Sequence, residues 1–391
     1  MVTRRRLVLT ALLSLTSFAA SINLLFAGLI RMAAEFNTRP EVLAAISSVY
    51  FVAFVSVSLV AGFASSRYGT RLPLLLGGMC TCAGGLIFLL GRGPAALVLG
   101  ALAMGAGGGA TEGMCSALLA GLFPGRERFV VSISQAGYCF GAIAGPFLMS
   151  IFLPLGVNWR IFFAPVAALA LLNVILFAGS RFPSSRPEDQ LSPRAAVGVL
   201  RRPSVRQWCF VVFLYVLAEA GLTSFLNIYL FEYEGAQEGV AIQAIALFWG
   251  VMLAGRLLTG LLPASVADRK LIVGGMSLGA VLVAALLVVS GWGPSLAVIL
   301  LASFAMAGAW PTAVALTAVE NRDVSSTAVG VTVAFGAVGC IVSPLVMGRL
   351  FGLVPPAVAM VAPALPLIAG ALLALPRPVR VPVLPAVVGE G

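Results

Sequence analysis

Three ionisable side chains, Glu112, Glu219 and Arg256, stand inside long apolar stretches of this 391-residue sequence. A charge at the centre of a bilayer costs at least ~2.5 to 3.5 kcal/mol even on lenient insertion scales, so such groups face a cavity, a partner or a proton path. Glu112 is the deepest, in the middle of the apolar and small residues 95–122. The sequence holds no histidine. A protonation step near neutral pH therefore falls to a buried carboxylate, and Glu112 is the first candidate, with Glu219 the second. A structural carboxylate tied to an arginine is the alternative for Glu112. Asn227 follows Glu219 by a little over two helical turns, so the two share a side, either lining a cavity or bonding neighbouring helices. Arg256 lies one turn before the end of its stretch, where its long side chain can reach out of the apolar region. This suits a gating or ion-pairing residue better than a ligand for a solute.

Trp249 and Trp310 fall within apolar stretches rather than at their ends, where tryptophan usually concentrates in membranes. With Asn23, Gln135 and Gln243 they compose a sugar-sized set: an aromatic face for an apolar ring face, amides for hydroxyls. Tyr138, one turn after Gln135, joins it. The competing reading is that both tryptophans are packing bulk; Phe88 of the third apolar stretch, by contrast, reads as a lipid-facing position. The glycines around Glu112, including Gly105, Gly107, Gly108 and Gly109, resemble a nucleotide loop only superficially and suit close helix approach. There is no Walker lysine, no metal-ligand cluster and no Ser, His, Asp set. Enzyme or ATP-driven chemistry has no residues to stand on, and no cofactor is expected.

The elements that hold these residues follow from composition. Sixty per cent of residues are apolar, 10% are charged and the mean hydropathy is +1.07, a balance no water-facing globule of this size tolerates. Windows of about 20 residues, matched to the ~30 Å hydrocarbon core, give twelve spans: 7–30, 43–64, 72–90, 95–122, 129–153, 161–178, 208–230, 240–262, 271–290, 294–318, 327–346 and 356–375. A cleaved leader ending near Ala20 would remove the first span, but the apolar run continues to Ile30, so the span is kept. The six cysteines all fall inside spans with no metal spacing, and no disulfide is expected.

The formal charge of +10 is a topology signal rather than a nucleic-acid footprint. With the N-terminus in the cytoplasm, most of the 24 Lys and Arg residues fall in inside segments, while Arg31, Arg39, Arg92, Arg160 and Arg349 fall outside. Both termini are thus expected in the cytoplasm, with the chain crossing the inner (plasma) membrane many times.

Between 179 and 207 the chain turns polar and rich in Pro, Ser and Arg. On either side the sequence repeats at one constant offset: Gly62 with Gly260, Gly141 with Gly339, Pro146 with Pro344. This predicts an all-α membrane protein of two pseudo-symmetric six-helix halves, residues 1–180 and 207–391, joined by a cytoplasmic linker, 181–206. Many secondary transporters are built this way.

Twelve spans, a central loop and this repeat resemble the major facilitator superfamily. Its signature between the second and third helices is G-x-x-x-D-R-x-G-R-R, and Gly62 to Arg71 match the Gly, Arg67, Gly69 and Arg71 while Ser66 replaces the Asp. The resemblance implies a gate at this end formed by Arg67 and Arg71, weakened by Ser66, with Asp268 and Arg269 as the counterpart after the eighth span. Three stretches are similar to the fucose, galactose and glucose proton-symporter group. Glu112 matches that group's G-x-G-x-x-E-x-x-x-N, with Ser116 at the Asn; Gln135 stands where the group often has His; Phe248-Trp249-Gly250, Gly255-Arg256 and Gly260 match its eighth-helix pattern. The helix-one acid of some members is missing, leaving Asn23.

The expected function is a proton-coupled secondary transporter of a small polar solute, a sugar or a related compound, working as a monomer in the bilayer without nucleic acid. A multidrug or metabolite exporter of the same fold stays open, with Phe26, Phe225 and Phe248 lining an apolar cavity. A receptor would need a signalling domain that the polar segments do not offer.

Overall fold

In a bilayer every backbone amide must be satisfied within its own segment, which leaves helices as the economical solution for apolar runs of this length. The computed structural model describes residues 2–39, 43, 45–123, 127–182, 193–262 and 268–375, and among them there is no strand. The helices are α1 (Val2–Glu35), α2 (Ala45–Tyr68), α3 (Arg71–Leu90), α4 (Pro94–Leu122), α5 (Glu127–Phe152) and α6 (Phe163–Ala178). After the linker come α7 (Pro193–Leu200), α8 (Pro203–Ile228), α9 (Glu238–Leu261), α10 (Asp268–Ala284), α11 (Trp292–Met306), α12 (Ala309–Glu320), α13 (Ser325–Leu353), α14 (Pro356–Val361) and α15 (Ala364–Ala374). Among the described residues eleven spans are long and apolar enough to cross a membrane, and α5 supplies a shorter apolar stretch, Gly137–Phe152, where the remaining one is expected. The chain is a multi-pass membrane protein.

Four boundaries differ from the sequence expectation, one being the span expected at 356–375, which is two helices, α14 and α15. The first span runs on to Glu35. The span expected at 294–318 is two helices, α11 and α12, broken where Gly308 is pressed against the Thr259 side chain. The linker is not wholly irregular: α7 packs on α13, with Val199 beside Val205, Cys209 and Ala328.

The helix partnerships of the first six spans recur in the last six. α1 packs on α5 as α8 does on α13, α2 on α4 as α9 on α11, and α3 on α6 as α10 on α15. Glycine makes the closest approaches possible. A Cβ on Gly105 or Gly109 of α4 would stand 2.1 Å from the carbonyl oxygen of Tyr50 or Phe54 on α2, so only glycine fits this crossing. The two sets of helices meet through α5 on α9, α2 on α13, and α1 on α8.

The distribution of the core separates the two ends of the molecule. One large cluster of buried apolar side chains draws on both sets, including Phe26, Ile30, Leu153, Leu230, Ile242 and Phe351. Two smaller clusters lie at the end that carries the N-terminus, and each belongs to one set: Leu7, Ala11, Leu74, Leu118 and Phe177 in the first, Val199, Val205, Cys209 and Ala328 in the second. Polar contacts follow the same division. At this end Arg71 donates to Ala178 O, Arg4 to Leu122 O, Arg202 to Asp323 and Arg269 to Glu320, each within one set. The Arg202 guanidinium also holds the exposed Asp323 carboxyl below its ordinary range.

Candidate functional site

α4 carries Glu112 one turn beyond Gly108, whose missing side chain leaves room for the Phe18 ring and the Tyr50 hydroxyl. Phe18 stacks on Phe54 at 5.4 Å and tilts against Tyr138 at 5.6 Å, so an aromatic floor lies beside the Glu112 turn. The Glu112 carboxylate is partly exposed and makes no hydrogen bond or ion pair among the described residues. It lies within electrostatic reach of Tyr50, Tyr138 and Cys340.

Glu219 of α8 is held differently. Arg256 Nη2 from α9 donates to Glu219 Oε1 at 3.1 Å and Tyr215 Oη donates to the same oxygen at 2.9 Å. Both ion-pair partners are nearly buried, 11% and 13% exposed, so the neutralisation is local. Arg256 thus does not reach out toward the end of its span, as its position in the sequence suggested; it is committed to an acid on a neighbouring helix of the same set. Tyr138 and Cys340 also lie within electrostatic reach of Glu219.

Trp249 connects this pair to the first set. Its Nε1 donates to Asn23 Oδ1 at 2.7 Å, Tyr138 meets its ring edge-on at 5.4 Å, and the Arg256 guanidinium stands 6.0 Å from the ring centre. Asn23 is fully buried, its Nδ2 given to Ala19 O. Asn227 donates across the interface to Phe26 O at 2.9 Å, while its Oδ1 is buried without a hydrogen-bond partner among the described residues. Such an orphan acceptor costs about 1–3 kcal/mol.

The structure therefore brings together Glu112, Tyr138, Trp249, Asn23, Glu219 and Arg256. It does not bring Trp310 to them: that side chain packs half-buried against the shared core from the start of α12, with no ring contact to Trp249 among the described residues. Gln243 is half-buried on α9 and makes no hydrogen bond among the described residues. The Gln135 and Ser66 side chains lie outside the described residues. Of the residues expected at the gate, Arg67 is exposed over the Tyr68 ring, Arg71 caps α6 through Ala178 O, and Asp268 is exposed at the start of α10. Arg269 bonds Glu320 at 2.7 Å and covers the Trp208 ring, whose Nε1 donates to Glu320 at 2.8 Å. Tyr215, Cys340, Trp208 and Glu320 were not singled out from the sequence; the spacing of Tyr215 one turn before Glu219 was the signal available for the first.

Phe88 also differs from expectation. It reads as a lipid-facing position, yet it is 1% exposed and stacked on Phe163 at 4.5 Å. Phe26, Phe225 and Phe248 are packed in the shared core at 4%, 0% and 0% exposure rather than lining a cavity.

A bundle of membrane-crossing helices in a repeated arrangement, with charged groups gathered at mid-span between the two sets, has the architecture of a solute transporter. The chain belongs to the Major Facilitator Superfamily, a family of transporters, whose profile matches residues 9–344. In fold it is similar to a single-site variant of the Escherichia coli fucose:proton symporter FucP, with TM-score 0.69 and 18% identity over 95% of this chain and 97% of that one. It is also similar to FucP in the outward conformation, with TM-score 0.64 and 16% identity over 92% and 97%. In sequence it is 29% identical over 130 residues to sugar transport protein 12 of Arabidopsis thaliana, a match covering 33% of this chain and 25% of that relative's length.

Proposed function

We propose that this protein is a proton-coupled secondary transporter of a neutral, polar small solute, a sugar or a close relative of one, with Glu112 as the coupling carboxylate. The observation that carries the reading is the contrast between two acids within electrostatic reach of the same Tyr138 and Cys340: Glu219 is neutralised by Arg256 and Tyr215, and Glu112 has no partner among the described residues. An unpartnered carboxylate in apolar surroundings is tolerable when a proton resides on it, and its release changes which packing of the two sets is favoured. Residues 1–180 and 207–391 would be the moving units, with 181–206 between them.

The shared core at the Arg31 end and the separate cores at the N-terminal end suit a state open toward the N-terminal side. Placing the termini in the cytoplasm of an inner membrane, as the charge distribution argues, makes this the inward-facing state of a monomer. The similarity to sugar and fucose:proton transporters agrees with a sugar substrate.

A thermal-shift screen of the purified protein tests the substrate class, since a ligand that binds only the folded state stabilises it by mass action, about 2.7 kcal/mol at a hundred times its Kd. Neutral monosaccharides should raise the melting temperature; organic acids and hydrophobic cations should not. Stabilisation by hydrophobic cations with no response to any sugar replaces this reading with that of an exporter.

A further inference from the structure

The polar contacts that α1 makes with the second set of helices fall at successive turns of one side: Asn23 with Trp249, Phe26 O with Asn227, Arg31 with Glu238. α1 runs from Asn23 toward Arg31 while α9 runs back from Glu238 to Trp249, so the first and last contacts come in the order that antiparallel neighbours require, and the middle one is supplied by Asn227 near the end of α8. Around them the interface is apolar, with Ala27, Ile30, Ile242 and Ile245 all buried in the shared cluster. At the two buried contacts, Asn23 with Trp249 and Asn227 with Phe26 O, a donor that leaves its acceptor meets no water, so each makes the closed register more specific than apolar packing alone would.

We propose that this three-rung seam is the outer lock of the transport cycle, and that its innermost rung, Asn23 with Trp249, reports substrate occupancy to the lock. The proposal rests on the alternating-access reading above and reassigns Asn23 and Trp249 from solute ligands to positioning residues. Trp249 belongs to both systems. Its N–H is in the seam, while its ring meets Tyr138 edge-on at 5.4 Å and lies 6.0 Å from the guanidinium that neutralises Glu219. A solute that settles against Tyr138 shifts the indole, and the indole cannot tilt without altering its bond to Asn23. The Arg31–Glu238 rung lies at the far end of α9 from Trp249, with the Arg31 side chain 45% exposed, and has no such link to the site. The rungs therefore differ in kind: Asn227 and Glu238 set how firmly the outer end closes, and Trp249 sets when it releases.

Spin labels at Ala34 and Gln237, both exposed and on opposite sides of the seam, read the outer opening by pulsed electron paramagnetic resonance on the full chain in lipid. The parent should show mainly the short distance. Asn227→Leu and Glu238→Gln should each raise the ratio of long to short distances about fivefold, the worth of one hydrogen bond, and keep the response to D-glucose. Trp249→Phe, which retains a ring and loses the N–H, should raise the ratio similarly and abolish the response. Distances like the parent's in all three variants overturn the lock. Equal widening with an equal D-glucose response in all three overturns the special part given to Trp249. Failure of the transport reading would appear separately, as parent vesicles that take up no sugar, because the opening ratio is read without substrate.

Discussion

Vesicles carrying Glu112→Gln should equilibrate substrate across the membrane and never concentrate it. The amide has the shape of the protonated acid and cannot release a proton, so the half-reactions that require a neutral residue continue while the coupled one stops. Glu112 has no partner among the described residues, so the substitution orphans no charge, and the glycine contacts of α4 with α2 are untouched. One unit of imposed pH gradient supplies about 1.4 kcal/mol per proton, which for one coupled proton is roughly tenfold accumulation. The parent should approach that ratio and Glu112→Gln should remain at equal concentrations, with counterflow exchange preserved. Accumulation by the variant would remove Glu112 from the coupling role.

The second large effect concerns stability. Arg256→Met should destabilise the protein by about 3–5 kcal/mol, the typical cost of leaving one member of a buried ion pair uncompensated. Glu219→Gln should cost a similar amount, since it removes the carboxylate that neutralises the nearly buried Arg256 guanidinium. The double variant, with both charges gone, should recover most of the loss. Thermal unfolding in detergent, run beside Glu112→Gln as the acid with no partner to lose, measures all of these. A double variant as unstable as the sum of its singles would show that the pair is not coupled.

The spans were legible because a helix must present about 20 apolar residues to lipid, and the repeat of Gly141 and Gly339 was legible because each takes a close helix crossing, α5 on α1 and α13 on α8. Pairing was not. Asn23 stands out as polar within its span, but its partner Trp249 is 226 residues away and is joined to it only by the packing of α1 on the second set. Glu219 and Arg256 were each visible as misplaced charges, yet their spacing could not tell a proton site and a gate from an ion pair between neighbouring helices. Phe88 was misread for a reason particular to membranes: lipid and protein interior are both apolar, so no stripe marks the buried side of α3. The break between α11 and α12 gave no signal, since Gly308 is one of 43 glycines and only its contact with Thr259 marks it.

The central claim is that sugar and proton move together through Glu112. Its most direct test adds the sugar selected by the thermal screen to the outside of parent proteoliposomes, in weak buffer, with no imposed pH or voltage gradient, and follows external pH. Downhill sugar entry should carry protons inward and make the medium alkaline at once, and the same addition to Glu112→Gln vesicles should leave external pH unchanged while labelled sugar still enters. Sugar entry into parent vesicles with no alkaline shift, or an equal shift with Glu112→Gln, would contradict the account.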